Sequence, residues 1–151
     1  MPELKLQSSV FSDQETIPEK YTGDGENISP PLSWSNVPEG TKEFALIVDD
    51  PDAPRPNPWV HWVVYNIPGS EVSIPEGGLP SGAKEGQNTF GNTNYGGPAP
   101  PKGHGKHRYF FKLYALDTSL DLAPGASKDV LLQAMEGHIL ADAQLVGLYE
   151  R

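Results

Sequence analysis

Four segments of the chain carry the hydrophobic pattern of β-strands. Residues 44–50 are a continuous apolar run that ends in two aspartates, as expected for a buried strand whose C-terminal end reaches the surface. Residues 59–66 and 108–116 are rich in aromatic and β-branched residues, and residues 141–149 are a fourth candidate strand. These segments predict a mainly β protein.

Only the segment at about 127–136 has a clear helical pattern. Ser127 can cap its N-terminus and Gly137 can end it. The long stretch 68–105 is rich in Gly, Pro, Ser and Asn and lacks periodicity, which is typical of a functional or partly structured loop. Many strands with one good helix predict a two-sheet antiparallel β-sandwich with one or two short peripheral helices.

The 151 residues show no repeat and no linker, so we expect a single domain over residues 1–151. The 16 glycines and 16 prolines are not periodic and fit short strands joined by fixed turns. Because the chain has no cysteine, it has no disulfide, zinc–thiolate site or cysteine nucleophile.

A net charge of −9 argues against nucleic acid or an anionic membrane surface as the main partner, since both require a positive surface. It does not exclude a small phosphate ligand, which backbone N–H groups and imidazoles can bind locally. The N-terminus lacks a secretory signal, and no apolar run approaches the roughly 18 residues of a membrane span. We therefore expect a cytoplasmic protein without integral membrane association.

Two blocks of titratable residues lie at the tips of the predicted strands. The first is Asp50-Pro51-Asp52-Ala53-Pro54, with His61 shortly after it. The second is Lys106-His107-Arg108-Tyr109. Together they supply two carboxylates, two imidazoles and a phenol, which are suitable groups for a polar pocket that binds a small anion.

Strand alternation predicts which of these side chains share a face. His107 and Tyr109 point the same way at the start of their strand. By the same rule, His61 shares a face with Val63 and Tyr65.

Asp50 and Asp52 are expected to lie beside these histidines and Tyr109. Asp50 ends its strand on the face of Leu46 and Val48. If this strand and the next are antiparallel neighbours, the end of one adjoins the start of the other. The loop 51–58, which holds four prolines, then folds Asp52 over the same spot.

Each group also has a structural interpretation. The aspartates of the first block can bond to local backbone in a turn, and His61 alone can be a satisfied core histidine. Arg108 and Lys106 fit a solvated or salt-bridged face, and His104 and His138 are most simply a loop residue and a helix-end residue. The coincidence of several such groups at strand tips favours a site.

No sequence motif indicates an enzyme or a cofactor. The chain has no nucleophile elbow, metalloprotease motif, phosphate-binding loop or dinucleotide-binding motif. Two histidines with a carboxylate can hold a metal ion, but the tyrosine and the proline-rich loop suit an oxyanion better. We therefore expect no catalytic residue, no metal and no cofactor.

At these residues the sequence resembles the phosphatidylethanolamine-binding protein family, also called the Raf kinase inhibitor-like proteins, in its short bacterial and archaeal form. The main matching segments are Asp50-Pro51-Asp52-Ala53-Pro54, Trp59-Val60-His61-Trp62, residues 96–109 and Phe111-Lys112-Leu113-Tyr114-Ala115-Leu116-Asp117. Ser33-Trp34 and Gly137-His138-Ile139-Leu140-Ala141 also match, so the resemblance covers nearly the whole chain.

The resemblance implies a two-sheet sandwich with a pocket for phosphate-like anions. The implied ligand-binding residues are Asp50, Asp52, His61, His107 and Tyr109, with backbone donors around Ala99, Pro100 and Pro101. It also implies a cis peptide between Ala53 and Pro54. Ala99 stands where many members have Gly, and since the sequence stops at Tyr149-Glu150-Arg151 we expect no counterpart of the terminal helix that lies beside the pocket in animal members.

The expected function is non-catalytic binding of a phosphorylated small molecule, a phospholipid head group or a phosphorylated protein group, with a kinase or protease as a further partner. One alternative is a kinase or protease inhibitor that acts through surface loops. A weaker alternative is a histidine-based hydrolase that uses His61 and His107. Short family members often form dimers, so a homodimer is also an open alternative.

Overall fold

The computed structural model describes residues 3–151, and in that range nine strands, one α-helix and one 3-10 turn are present. The 3-10 turn is Glu19–Tyr21 and the helix is α1 (Lys128–Met135). The strands are β1 (Lys5–Gln7), β2 (Glu15–Thr16), β3 (Leu32–Ser35), β4 (Glu43–Asp50), β5 (Trp59–Pro68), β6 (Ser73–Ile74), β7 (Lys84–Glu85), β8 (His107–Leu116) and β9 (Ile139–Tyr149).

The strands form two sheets. One has three strands in the order β1-β3-β6, and the other has six in the order β2-β9-β8-β4-β5-β7. The four strands predicted from the hydrophobic pattern are the four long strands β4, β5, β8 and β9, and their bounds agree within two residues. The predicted mainly β architecture is thus confirmed.

One pairing departs from the expected antiparallel arrangement. Strand β2 pairs with β9 in parallel, through Glu15 with Gly147 and Thr16 with Leu148. The N-terminal segment runs along the outer edge of β9 in the same direction as that strand, so this short pairing is parallel. All other strand pairs among the described residues are antiparallel.

The buried faces of the two sheets share one hydrophobic core. Trp34 of the small sheet packs on Phe44 of the large sheet, with ring centroids 5.1 Å apart. Phe11, in the segment between β1 and β2, packs on Phe111 of β8 at 5.6 Å. Because large aromatic side chains bury much apolar area, the first contact joins the two sheets and the second packs the connecting segment on the large sheet.

Helix α1 covers part of the outer face of the large sheet. The Ser127 side chain accepts a hydrogen bond from the Val130 N–H at 3.2 Å, which confirms the predicted N-cap. Leu131 and Met135 are fully buried in a second apolar cluster with residues of β4 and β5. The ammonium group of Lys128 lies 2.6 Å from the carboxylate of Asp49, which joins the start of the helix to β4.

Across residues 3–151, no helix has both the length and the apolar character needed to cross a membrane.

Replacement of Phe44 by alanine tests the contact between the sheets. Phe44 has no exposed surface, so Phe44→Ala should lower the free energy of unfolding by about 3–5 kcal/mol. Val72 is about half exposed, and Val72→Ala should change it by less than about 0.5 kcal/mol. Urea unfolding of both variants measures the difference, and equal effects would contradict a shared core at Phe44.

Candidate functional site

A pocket of about 220 Å³ lies where the central strand β4 ends beside the first residues of its neighbours. In the paired register, Asp50 lies opposite Trp59 of β5, and Asp49 lies opposite Phe110 of β8. The lining residues are Asp50, Ala53, Pro54, Trp59, His61, Phe90, Ala99, Pro100, Pro101, His107 and Tyr109. Of the eight residues expected in a ligand site, seven therefore line this pocket and Asp52 does not.

A β-bulge in β5 brings His61 to the pocket. Val48 pairs with Trp62, whereas Asp49 pairs with Val60, so His61 is the extra residue between two regular pairs. The His61 ring meets the edge of the Tyr109 ring, with centroids 5.1 Å apart.

The bulge also corrects the expected facing of His61. Val63 and Tyr65 belong to the cluster under α1, on the opposite side of the sheet from the main core. Strict alternation would place His61 there as well, so the predicted shared face is wrong. The extra residue reverses the alternation, and His61 faces the same side as Asp50 and Tyr109.

A buried carboxylate holds the His107 ring in place. His107 Nδ1 lies 2.6 Å from Asp50 Oδ2, and the two side chains are only 2% and 4% exposed. The other oxygen of Asp50 accepts the N–H of Asp52 at 2.7 Å. Because a carboxylate only accepts, His107 donates through Nδ1, and the chemistry available to a ligand is that of Nε2.

His104 contacts that same nitrogen. Its Nδ1 lies 2.5 Å from His107 Nε2, so Asp50, His107 and His104 form a hydrogen-bonded chain from a buried carboxylate to an exposed imidazole. The sequence pattern indicates only a loop residue at His104. The only signal for its position is the spacing of three residues from His107 in a tight, glycine-rich turn.

The second pocket imidazole is neutral. His61 Nδ1 lies 2.6 Å from the Gly96 carbonyl oxygen, which only accepts, so Nδ1 carries the proton. Burial lowers the pKa of His61 below its ordinary value of 6.5, and this effect outweighs the hydrogen bond to Gly96 and the charge of Asp50. The remaining nitrogen, Nε2, is therefore an acceptor.

Tyr109 supplies a hydrogen-bond donor. Its side chain is buried between the two imidazoles, with its ring 6.4 Å from that of His107. Burial raises the pKa of Tyr109 well above its ordinary value, and the nearby Asp50 carboxylate raises it further. The phenol therefore stays protonated at physiological pH.

The other walls of the pocket are mainly apolar, although the buried indole N–H of Trp59 has no hydrogen-bond partner in the described chain. Trp59 and Phe90 pack edge to face, with ring centroids 5.2 Å apart. The rings of Pro100 and Pro101 lie in the same wall, and since proline has no N–H, Ala99 alone among these three offers a backbone donor. Neither aromatic residue is among the ligand-binding residues predicted from the sequence. Trp59 lies in a matching segment, but Phe90 lies in the long loop and has no sequence signal.

Asp52 lies outside the pocket because it binds Arg108. The Arg108 guanidinium donates from Nε and Nη2 to the two carboxylate oxygens, both at 2.9 Å, and the Arg108 backbone N–H donates to Oδ2 at 2.8 Å. These hydrogen bonds lower the pKa of Asp52, so its carboxylate is ionised. Both of its oxygens already accept hydrogen bonds from Arg108. The pair attaches the loop 51–58 to the start of β8, consistent with the interpretation of Arg108 as salt-bridged.

The loop contains no cis peptide bond. All peptide bonds between residues 3 and 151 are trans, including the one between Ala53 and Pro54, so the cis bond implied by the resemblance is wrong. Before proline, the trans form is favoured by about 0.5–1 kcal/mol. The contacts of Asp52 already direct the loop toward β8.

The remaining histidine is remote. His138 follows α1 and pairs with Asp117 at 2.9 Å on the exposed surface, as expected for a helix-end residue. Within the part of the chain that the structure describes, no three histidine or acidic side chains group in a way that could hold a metal ion.

The depressed pKa of His61 predicts a pH-dependent stability. Below pH 6.5 the unfolded chain binds a proton at His61 that the folded protein resists, so stability is lost as the pH falls toward the lowered pKa. His61→Gln should therefore lose less stability than the wild type between pH 7 and pH 5. In the control variant His138→Gln, His61 is unchanged, so its contribution to the pH dependence of stability should remain. The free energy of unfolding is measured by urea unfolding at each pH. If it falls equally steeply with pH in the wild type and in His61→Gln, the prediction is contradicted.

Comparison with known proteins shows the family. The family model described as phosphatidylethanolamine-binding protein matches residues 7–150. A UPF0098 protein of Methanothermobacter thermautotrophicus is 56% identical, over 98% of this chain and 99% of its own length. A putative phosphatidylethanolamine-binding protein homologue from Chlamydia trachomatis is 45% identical with a TM-score of 0.93, and covers 99% of this chain and 98% of its own.

A second solved structure from the same family is similar to this chain over nearly its whole length. YbcL of Escherichia coli, described as a member of the mammalian family, is 36% identical with a TM-score of 0.93, and the match covers 99% of both chains. The sequence match, the two similar structures and the pocket at the end of β4 lead to one conclusion. The chain belongs to the phosphatidylethanolamine-binding protein family.

Proposed function

We propose that this protein binds a phosphate-like anion, carried by a phosphorylated small molecule, a phospholipid head group or a phosphorylated protein, and that it does so without catalysis. The observation that carries the proposal is the position of the Tyr109 phenol between two buried imidazoles, each fixed by a hydrogen bond on its inner nitrogen. Fixed polar groups in an otherwise apolar cavity orient a small ligand.

The pocket groups favour a ligand that brings a proton. Tyr109 and the Ala99 N–H donate, whereas the outer nitrogen of a neutral imidazole accepts. An anion therefore binds best when it carries a P–OH that donates to an imidazole, or when an imidazole takes up a proton on binding. The dianion of a phosphate monoester takes up one proton near pH 6, within reach of physiological conditions.

The apolar wall suits the organic part of such a ligand. The Trp59 and Phe90 rings lie at the same cavity as the polar groups, so an ester whose carbon chain or ring leaves the phosphate can bury apolar area there. The family's own name refers to a phospholipid whose head group contains a phosphate ester. A small phosphate ester and a phospholipid head group would therefore place the same phosphate group at the polar end of the pocket.

The chemistry of the lining residues favours binding over turnover. No serine, threonine, cysteine or lysine lies among the residues that line the pocket in the described chain. The one hydroxyl, on Tyr109, is kept protonated, and both oxygens of Asp50 are already occupied. A covalent step would need an activated nucleophile beside a base.

Thermal unfolding with added phosphate tests the proposal. Inorganic phosphate or phenyl phosphate at about 100 times Kd should raise Tm by roughly 5–10 °C, because a ligand stabilises the state that binds it. Tyr109→Phe keeps the ring and removes the donor, so it should weaken binding about 10-fold or more. His107→Ala should abolish the shift, and His138→Ala should leave it intact. No shift with either anion, or hydrolysis of the phenyl ester lost in His107→Ala, would overturn the proposal.

The same complex should show a proton linkage. The phenyl phosphate dianion has no P–OH, so its binding should take up a proton, either on the ligand or on an imidazole, and its Kd should fall as the pH falls from about 8 to 6. Calorimetry in two buffers of different ionisation enthalpy should report proton uptake. An affinity that rises with pH, or binding with no proton uptake at pH 7.5, would contradict this.

A further inference from the structure

We infer that His104 competes with the ligand for His107 Nε2, and so sets the affinity and the entry of the anion. This inference rests on the proposed function, because it concerns the same pocket. It assigns a role to a residue outside the pocket's lining.

The contact leaves His107 with no free nitrogen. Nδ1 donates to Asp50 at 2.6 Å and Nε2 faces His104 Nδ1 at 2.5 Å. A single proton lies between the two imidazoles. With His107 neutral, that proton belongs to His104, which acts on His107 as the P–OH of a bound phosphate would act.

A ligand oxygen and His104 therefore cannot both use this nitrogen. A neutral acceptor nitrogen has one lone pair, and an imidazolium has one N–H there, so each state supports one good hydrogen bond. Binding the anion at His107 requires the His104 ring to leave. When the ring leaves, the hydrogen bond between His104 and His107 is lost, and this loss lowers the observed affinity for the anion.

The chain around His104 permits such a departure. Gly103 and Gly105 flank it with φ values of +77° and +94°, a region that glycine adopts without a steric penalty. The space beside both glycines is open. The turn itself is held by hydrogen bonds from the Gly103 N–H to the Arg151 carbonyl at 3.1 Å and from the His104 N–H to the Pro101 carbonyl at 3.2 Å, so the imidazole leaves by rotation of its side chain. His104 is exposed, whereas its partner His107 is buried. The ring can swing out without disturbing the core.

Two substitutions of His104 separate a competing hydrogen bond from other effects. His104→Ala removes the competitor and should tighten the Kd of inorganic phosphate about 2- to 10-fold, the usual net effect of one hydrogen bond. In His104→Asn the amide nitrogen can take the place of Nδ1, so the Kd should stay near the wild-type value. His138→Ala removes an exposed histidine elsewhere and should have no effect.

Nitrogen-15 NMR of histidine-labelled protein gives a readout that needs no substitution. In the free protein, His104 Nδ1 and His107 Nε2 should show the shifts of a hydrogen-bonded pair. On addition of inorganic phosphate, His104 should take the shifts of a solvent-exposed imidazole, while the His107 Nδ1 signal persists.

The outcomes are distinguishable. If the wild type binds phosphate and His104→Ala binds equally or more weakly, or if His104→Asn binds as tightly as His104→Ala, competition at His107 is overturned while the proposed function stands. A His104 signal unchanged by bound phosphate also overturns it. If neither the wild type nor His104→Ala binds phosphate, the proposed function fails and this inference fails with it.

Discussion

The antiparallel pairing of β4 with a neighbour on each side is the constraint on which the rest of the structure depends. It sets the C-terminal end of β4 beside the first residues of β5 and β8. Polar side chains at these three places that point to the same face then share one small region at the edge of the core. The site residues are far apart in the chain, and this pairing brings them within contact distance.

The two aspartates that end β4 serve the two faces of the sheet. Asp49 points to the outer face, where it lies 2.6 Å from Lys128 and 3.6 Å from Lys112, and so attaches the helix to the sheet. Asp50 points to the pocket and holds His107. Both are almost fully buried, which is tolerated because each carboxylate is partnered. One local sequence thus contributes to both stability and the site.

Desolvation determines the chemistry of the pocket more than formal charge does. The protein carries a net charge of −9, yet the pocket contains a phenol kept protonated and an imidazole kept neutral by burial. Among the residues that line the pocket, hydroxyl and imidazole groups take the place of lysine or arginine. Nε2 of His107 can make only one good hydrogen bond, and in the structure His104 occupies it.

The local pattern alone determined the long strands, the capped helix and the presence of polar groups at strand tips, because apolar periodicity and caps are properties of neighbouring residues. It did not determine the facing of His61, because a bulge arises from the register between two strands. Nor did it determine that Asp52 binds Arg108, that His104 reaches His107, or that Phe90 joins Trp59. Each of these contacts joins loops or strand ends whose relative positions are set only when the sheet is assembled.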